Sequence, residues 1–281
     1  MNYSILIILA AIISTIGTYI NKKIVERGIS RENFFYYMCF TMVFFSLGSL
    51  GLEANNQTLK FELSMPLVLL LVLAMILRYL RQTSFVGYCR KLEPYEFETY
   101  MSFSLVICFI IDVIIGSQSF NVFKLVSIIC IILGIAFTYN VKLNVRNIQK
   151  DLLLKMIAEI GTSYIVFNAM RYCSNGVFIL LLNLSLVIIF TFIYKPYKKE
   201  NRIPNDLLLL FFIQQTFGFS RTYISNYLSS QSATLAHFIS PVSLVLITLS
   251  AFIIRKEHKP NMKNMFGILL ACLGILLIKM F

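Results

Sequence analysis

Residues Gln231–Phe281 read QSATLAHFISPVSLVLITLSAFIIRKEHKPNMKNMFGILLACLGILLIKMF. Two long apolar runs, Gln231–Ile254 and Asn261–Lys279, flank a short basic turn. Each run has about the 20 residues that a helix needs to cross a bilayer. The end of the chain is therefore predicted to be a pair of membrane-spanning helices. A weaker copy of this unit lies about 140 residues upstream, which extends the prediction to the rest of the chain.

The composition of the whole chain supports a membrane protein. Of its 281 residues, 58% are hydrophobic and only 14% are charged, whereas about a quarter of the residues in soluble domains are charged. The apolar residues also occur in long blocks, as in multi-pass helical membrane proteins. We therefore predict an all-α, multi-pass protein of the cell membrane.

Ten apolar blocks are long enough to be membrane spans. Residues 1–140 hold five of them, 141–150 form a polar and basic linker, and 151–281 hold the other five. The predicted spans are Asn2–Asn21, Asn33–Leu52, Pro66–Tyr88, Pro94–Gly116, Val122–Asn140, Asp151–Cys173, Gly176–Tyr194, Pro204–Leu228, Gln231–Ile254 and Asn261–Lys279.

The formal net charge of +12 comes mainly from lysines and arginines between the apolar blocks. Membrane topology explains basic residues at such positions, and there is no separate basic domain or arm to bind nucleic acid. The loops after the even-numbered spans and the C-terminal tail carry few of them. The positive-inside rule therefore predicts that the odd-numbered loops are cytoplasmic and that both termini lie outside. The few basic residues on the outer side are Lys60, Lys124, Arg171 and Lys279.

Motifs for enzymatic or cofactor chemistry are absent from the sequence. The six cysteines are scattered singly without a CxxC pair, and the only histidines are His237 and His258. Neither a metal centre nor a disulfide framework is predicted from these residues. No GxxxxGK[ST] motif is present to bind ATP. An integral membrane enzyme would normally show catalytic histidine, aspartate or glutamate residues clustered at one interface, whereas the ionisable residues here are dispersed at mid-span.

An internal repeat indicates how the two halves are related. The segment KLVSIICIILGIA at Lys124–Ala136 matches NMFGILLACLGIL at Asn264–Leu276 with a shift of 140 residues. The basic turn, apolar block and LGI motif also recur in the same order. Because each half has an odd number of spans, the second half must enter the membrane in the opposite orientation. Two inverted five-helix repeats are a recurring architecture of secondary transporters.

The last two spans carry a recognisable pattern, with Pro241 in the ninth span, Glu257 in the turn after it, and Gly267 and Gly274 in the last span. With this pattern the layout resembles the drug/metabolite transporter superfamily, in particular the ten-helix EamA-type permeases. The first half departs from the family pattern, with Ser102 in place of a proline and Gln118 in place of a glutamate. The resemblance implies transport of a small metabolite such as an amino acid, and cytoplasmic termini, contrary to the charge distribution.

Four charged residues lie well inside predicted spans, namely Arg78, Arg81, Glu159 and Arg221. A charge at the centre of the membrane costs about 2.5–3.5 kcal/mol on insertion scales, so these side chains should face a partner or a water-filled cavity. One interpretation is a buried ion-pair network that orders the bundle. The other is a central site where the arginines hold an anionic or zwitterionic group.

Four further residues are candidates for the same site. His237 lies one turn before Pro241, and Glu98 corresponds to His237 in the repeat. Either His237 is a hydrogen-bonded structural residue, or it binds a ligand or a proton. Tyr79 and Tyr223 could supply further polar contacts. By contrast, Asp112 and Lys155 lie near span ends, where their charges are expected to reach the interface.

We therefore expect a secondary transporter with a site between spans 3, 4, 6, 8 and 9. Expected partners are a small-molecule substrate and the lipid bilayer, with a coupled proton and a second copy of the chain as further candidates. One alternative is a choline or other quaternary-amine transporter, which needs an aromatic cage. Another is a lipid-linked sugar flippase, whose substrate phosphate would suit the arginines. An accessory membrane subunit is the non-transport alternative.

Overall fold

The computed structural model describes residues 3–89, 94–139, 150–195, 203, 205–250 and 262–279. Within these ranges the chain is helical, and the only β pairing is an isolated bridge between Phe61 and Cys173. The helices are α1 (Tyr3–Glu26), α2 (Arg31–Asn55), α3 (Met65–Cys89), α4 (Pro94–Ile114), α5 (Val122–Tyr139), α6 (Lys150–Ala169), α7 (Asn175–Tyr194), α8 (Asn205–Gln231), α9 (Ala233–His237), α10 (Ile239–Ser250) and α11 (Met262–Lys279).

Six helical segments of the described chain are long and apolar enough to cross a membrane. Their outward faces expose large apolar side chains, such as Phe44 of α2 and Phe192 of α7, which a bilayer would cover. The chain is therefore an all-helical membrane protein. The six segments are α1, α2, Met65–Val86 of α3, α6, α7, and Ala233–Ser250, which contains α9 and α10.

The predicted ninth span differs from a continuous helix. Helix α8 continues to Gln231, and the apolar segment after it is divided into α9 and α10 next to Phe238. Pro241 has no backbone N–H, so it cannot donate to the carbonyl of His237, where α9 ends. Residues 141–149 of the predicted linker 141–150 and the basic turn 255–260 lie outside the described residues, whereas Lys150 is the first residue of α6.

Each helix of the α1–α5 group packs antiparallel to a helix of the α6–α11 group. In the α3–α6 pair, Leu77 lies against Gly161 while the later Phe85 lies under the earlier Lys155. In the α4–α9 pair, Ser104 bonds His237 whereas Asp112 bonds the earlier Thr234. The pairs that cross between the two groups in this way are α1–α8, α2–α7, α3–α6, α4 with α9 and α10, and α5–α11.

Glycines bring α5 and α11 into close backbone contact. A Cβ atom on Gly134 would lie 2.5 Å from the backbone nitrogen of Ala271, and one on Gly274 would lie 2.6 Å from the carbonyl oxygen of Ser127. These positions are too close for any side chain. The spaced small residues therefore set the distance between the two helices.

Buried apolar side chains form two cores inside the bundle. The larger one joins α1, α2 and α3 to α6, α7 and α8 around residues such as Phe35 and Phe178. The smaller one joins α1, α4 and α5 to α8, α9 and α10 around residues such as Leu105 and Leu228. We call the end where α1 and α3 finish and α2 and α6 begin the basic end. The far end is where α2, α4 and α6 finish and α7 and α9 begin.

Candidate functional site

A cavity of about 90 Å³ lies between α1, α2, α3, α6 and α8. It is nearer to the basic end, because it meets the last part of α1 and α3 and the first part of α2 and α6. Helices α4 and α9, which were expected at the site, contribute no residue to its lining. Its charged lining residues are Arg81, Lys155, Glu159 and Arg221, and its uncharged polar lining includes Ser14, Thr18, Asn21, Gln82, Gln214, Gln215, Thr222, Ser225 and Asn226.

Glu159 is the only carboxylate among the described residues that line the cavity. Its Oε2 atom lies 3.3 Å from Lys155 Nζ, one turn earlier on α6, and its Oε1 atom lies 3.6 Å from Arg221 Nη2 on α8. Arg81 on α3 also interacts electrostatically with Glu159. Three cations thus surround one carboxylate, which leaves an excess of positive charge on this wall.

Lys155 is buried in this cluster and does not reach the membrane interface, which corrects the expectation from its position near a span end. It is 5% exposed. Its ammonium lies 5.3 Å from the centre of the Phe85 ring, and its ion pair with Glu159 compensates the charge. The expectation was based on the position of Lys155 near the end of its span, which does not show that α3 covers the side chain.

The uncharged wall of the cavity carries polar atoms without partners among the described residues. Ser14 Oγ and Asn21 Oδ1 on α1 and Gln215 Oε1 on α8 are buried and make no hydrogen bond. Leaving a buried polar atom unpaired costs roughly 1–3 kcal/mol. All three atoms can therefore accept hydrogen bonds from a molecule or water in the cavity, and the Ser14 hydroxyl can also donate one.

His237 lies on α9 behind the charged wall and is held on both sides. Its Nδ1 atom is 2.7 Å from Ser104 Oγ, and its Nε2 atom is 3.1 Å from Ser163 Oγ. The Ser104 hydroxyl also reaches the Met101 carbonyl and the Ser163 hydroxyl also reaches the Glu159 carbonyl, so either ring nitrogen can be the donor to its serine. This geometry joins α4, α6 and α9 through one imidazole.

Glu98 on α4 is also outside the cavity lining and is fully buried. Neither of its carboxylate oxygens has a hydrogen-bond partner among the described atoms. It interacts electrostatically with Arg221, Glu159 and Lys155. Glu98 therefore interacts electrostatically with the charged residues of the cavity wall, although it does not line the cavity.

The other three sequence candidates lie away from the cavity. Arg78 is 3% exposed and lies beside Cys39, with its Nε and Nη2 atoms unpaired among the described residues. Tyr79 stacks on Phe190 with ring centres 5.4 Å apart. Tyr223 donates from its hydroxyl to Glu53 Oε1 at 2.8 Å. Of the eight candidates, the structure brings Arg81, Glu159 and Arg221 together at the cavity.

Two buried carboxylates at the far end were missed as functional candidates. Glu53 on α2 accepts hydrogen bonds from the Ser174 hydroxyl at 2.6 Å and the Gly176 backbone N–H at 2.7 Å, besides Tyr223. It therefore caps the start of α7. The Ser-Asn-Gly run at 174–176, directly before an apolar block, is the sequence signal of a helix start that needs such a cap.

Asp112 on α4 was expected to reach the interface, but it is 1% exposed and fully hydrogen bonded. Its Oδ2 atom accepts from the Ser232 hydroxyl at 2.9 Å and from both the backbone N–H and the hydroxyl of Thr234, at 3.0 and 2.6 Å. Its Oδ1 atom accepts from the Tyr164 hydroxyl at 3.0 Å. The expectation failed because α6 and α9 fold over this end of α4.

No group of three or more histidine, cysteine, aspartate or glutamate side chains in the described ranges could hold a metal ion. The five cysteines whose side chains the structure describes are free thiols. Comparison with known proteins adds no assignment: no protein-family model matches the chain, and no curated protein matches it in sequence.

Proposed function

We propose that this chain is a secondary transporter of the cell membrane that moves a small anionic or zwitterionic metabolite through the cavity by alternating access. The charge of the cavity supports this most directly. Arg81, Lys155 and Arg221 surround the single carboxylate of Glu159 inside an apolar bundle. Charges at such positions are expensive and mark substrate or ion pathways. Their excess of positive charge favours a ligand with an anionic group.

The helix pairs support two inverted five-helix repeats. In the proposed repeats, α1, α2, α3, α4 and α5 correspond to α6, α7, α8, α9–α10 and α11, respectively. When each helix is exchanged for its counterpart, the α1–α8 pair becomes the α6–α3 pair, which is also present. The same exchange leaves the α2–α7, α4–α9/α10 and α5–α11 pairs unchanged. It also converts the contact of Gly134 with Ala271 and Gly267 into that of Gly274 with Ile131 and Ser127. A pseudo-two-fold axis in the membrane plane would produce this pattern.

The position of the cavity between the proposed repeats supports a substrate site at their interface. Helices α1 and α6 correspond in the two repeats, as do α3 and α8, and these four helices supply most of its lining. Arg81 on α3 and Arg221 on α8 are related by the shift of 140 residues. Each proposed repeat thus contributes one arginine to a site at the interface of the repeats.

Hydrogen bonds between the proposed repeats close the far end. Glu53 and Asp112 of the first repeat bind groups of the second, and the backbone N–H of Glu62 donates to the Tyr172 carbonyl at 2.8 Å. The cavity lies towards the opposite, basic end. Because the lysine- and arginine-rich loops are predicted to be cytoplasmic, we infer a conformation whose cavity lies towards the cytoplasm and whose outer gate is closed.

The proposed layout agrees with membership of the drug/metabolite transporter superfamily, as an EamA-type permease. A quaternary-amine substrate is less favoured, because the described cavity wall carries three cations. The partners proposed are the bilayer and a small metabolite, with a proton as candidate coupling ion.

Uptake into proteoliposomes tests this function. Purified protein is reconstituted and offered radiolabelled succinate, glutamate, phosphate, betaine and choline in turn. We expect uptake of at least one anionic or zwitterionic compound, and its loss in Arg81→Gln and Arg221→Gln. Arg27→Gln is the matched control, because Arg27 is an exposed arginine paired with Asp206. Uptake of choline alone, or none of the panel, would contradict the proposal.

A further inference from the structure

Glu98 differs from the other carboxylates inside the described bundle in having neither a hydrogen bond of regular geometry nor an ion pair among the described residues. Glu53 accepts three hydrogen bonds and Asp112 accepts four, and Glu159 is paired with two cations. Glu98 is 0% exposed, and both of its oxygens are unpaired among the described atoms. The Ser240 hydroxyl of α10 lies beside it without a hydrogen bond of regular geometry.

An ionised carboxylate in this position would lose its hydration without compensation. The free-energy cost of burying an unpaired charge is so large that such groups take up a proton instead. Glu53 and Asp112 avoid this cost through their hydrogen-bond donors. At Glu98 the local geometry favours the neutral carboxylic acid.

The charges that face Glu98 come from the wall of the cavity. The charged groups that interact electrostatically with Glu98 are Arg221 of α8, and Glu159 and Lys155 of α6. On α9 the ionisable group is His237, which is engaged with two serines, and α10 has no ionisable side chain. Arg221 therefore opposes protonation of Glu98 unless an anion neutralises it. Protonation of Glu98 and binding of an anion at Arg221 should strengthen each other, since such coupling is reciprocal.

We propose that Glu98 is a proton-binding site, occupied at neutral pH in this conformation and coupled through Arg221 to the ligand cavity. The coupling role of Glu98 rests on the transport function proposed above. The protonation of Glu98 does not depend on that function. When α4 moves relative to α6 and α8, Glu98 would gain water or a cationic partner and release the proton. The proton would thus move with the anion.

Difference infrared spectroscopy of the full-length protein in lipid bilayers tests the site without any substrate. The C=O band of a protonated buried carboxyl group should be present at about pH 7 in the wild type and lost in Glu98→Gln. Glu62→Gln, which changes an exposed glutamate, should keep the band. If Glu98→Gln does not fold, Glu98→Asp should keep a band at a shifted frequency. Absence of the band in the wild type, or an unchanged band in the Glu98 variant that folds, would overturn the proton site.

The coupling to the cavity is tested by the same band in Arg221→Gln. Removing the cation imitates its neutralisation by an anion, so the band should persist to a pH about one unit higher than in the wild type. If the band of Arg221→Gln disappeared at the same pH as the wild-type band, or at a lower pH, the coupling would be overturned. A failure of the transport function would show in the uptake assay and leave the band in place, so the two proposals can fail separately.

Discussion

Arg221 of α8 and Glu159 of α6 form an ion pair across the cavity, with Nη2 and Oε1 3.6 Å apart. Both side chains are partly exposed to the cavity, at 27% and 18%. A ligand carboxylate would therefore compete with Glu159 for the same guanidinium. A ligand ammonium group would instead bind Glu159. This one pair can thus discriminate between anionic and zwitterionic ligands.

Glu159→Gln should have different effects on the affinity for anionic ligands and on the affinity for zwitterionic ligands. Without the competing carboxylate, the affinity for succinate should rise on the order of tenfold, about 1.4 kcal/mol. The affinity for glutamate should not rise, because its ammonium group loses a partner. The measurement is the concentration dependence of thermal stabilisation by each compound, with Glu62→Gln as the control. Weaker binding of succinate would contradict the competition.

Asp112→Asn should destabilise the far end strongly. The variant places an amide N–H₂ where the carboxylate now accepts from Ser232, Thr234 and Tyr164. We expect a loss of about 2–4 kcal/mol in the free energy of unfolding, since buried charged acceptors are involved. Asp206→Asn is the control, because its pair with Arg27 is about 60% exposed and should be worth less than about 1 kcal/mol. The free energies of unfolding are measured by chemical denaturation. Similar losses in Asp112→Asn and Asp206→Asn would contradict the role of Asp112.

Gly134→Ala should force α5 and α11 apart. Its new Cβ would lie 2.5 Å from the Ala271 backbone nitrogen, an atom that cannot rotate away. Overpacking of this kind costs about 1–3 kcal/mol. Gly48→Ala in the middle of α2 is the control, because nothing lies within 4 Å of that position. It should be neutral or stabilise by about 0.5–1 kcal/mol through helix propensity. Thermal unfolding of both variants distinguishes these effects, and equal melting temperatures would contradict the close packing.

Cys173 reports on opening of the far end. It lies in the connection between α6 and α7 and is 1% exposed. Burial, followed by the charge of Glu53, raises the pKa of its thiol to about 11. Little thiolate is therefore present at neutral pH, and labelling by a maleimide should be slow.

Glu53→Gln should accelerate labelling of Cys173 on the order of tenfold, which corresponds to an opening that is about 1.4 kcal/mol easier. Peptide mapping by mass spectrometry separates Cys173 from the other thiols, and Cys173→Ser gives the background. Labelling should also speed up as the pH rises towards the thiol pKa. An unchanged rate in Glu53→Gln would show that Glu53 does not hold this end closed.

Sequence reasoning predicted the elements well where a local signal was strong. Span seven was predicted at Gly176–Tyr194 and forms at Asn175–Tyr194, because Ser174 and the apolar run mark its start. The convergence of Arg81, Glu159 and Arg221 was also predictable, since charges inside apolar spans require partners.

Features that depend on neighbouring helices were not predictable. Tyr79 and Tyr223 lie on long apolar helices, where the sequence does not indicate which face meets the cavity. Tyr79 packs on Phe190, and Tyr223 binds Glu53. Asp112 is buried because α6 and α9 cover it, and a single sequence does not reveal such long-range contacts.

The central claim is that the cavity binds an anionic group through Arg81 and Arg221. The most direct measurement is a thermal-shift screen of detergent-purified protein with succinate, glutamate, phosphate, betaine and choline, in the wild type, Arg81→Gln, Arg221→Gln and the control Arg27→Gln. Ligand binding to the folded state raises the melting temperature by mass action. We predict stabilisation by at least one compound with an anionic group, kept in Arg27→Gln and lost in both cavity variants. Stabilisation by choline alone, or stabilisation that persists in Arg81→Gln and Arg221→Gln, would contradict the claim.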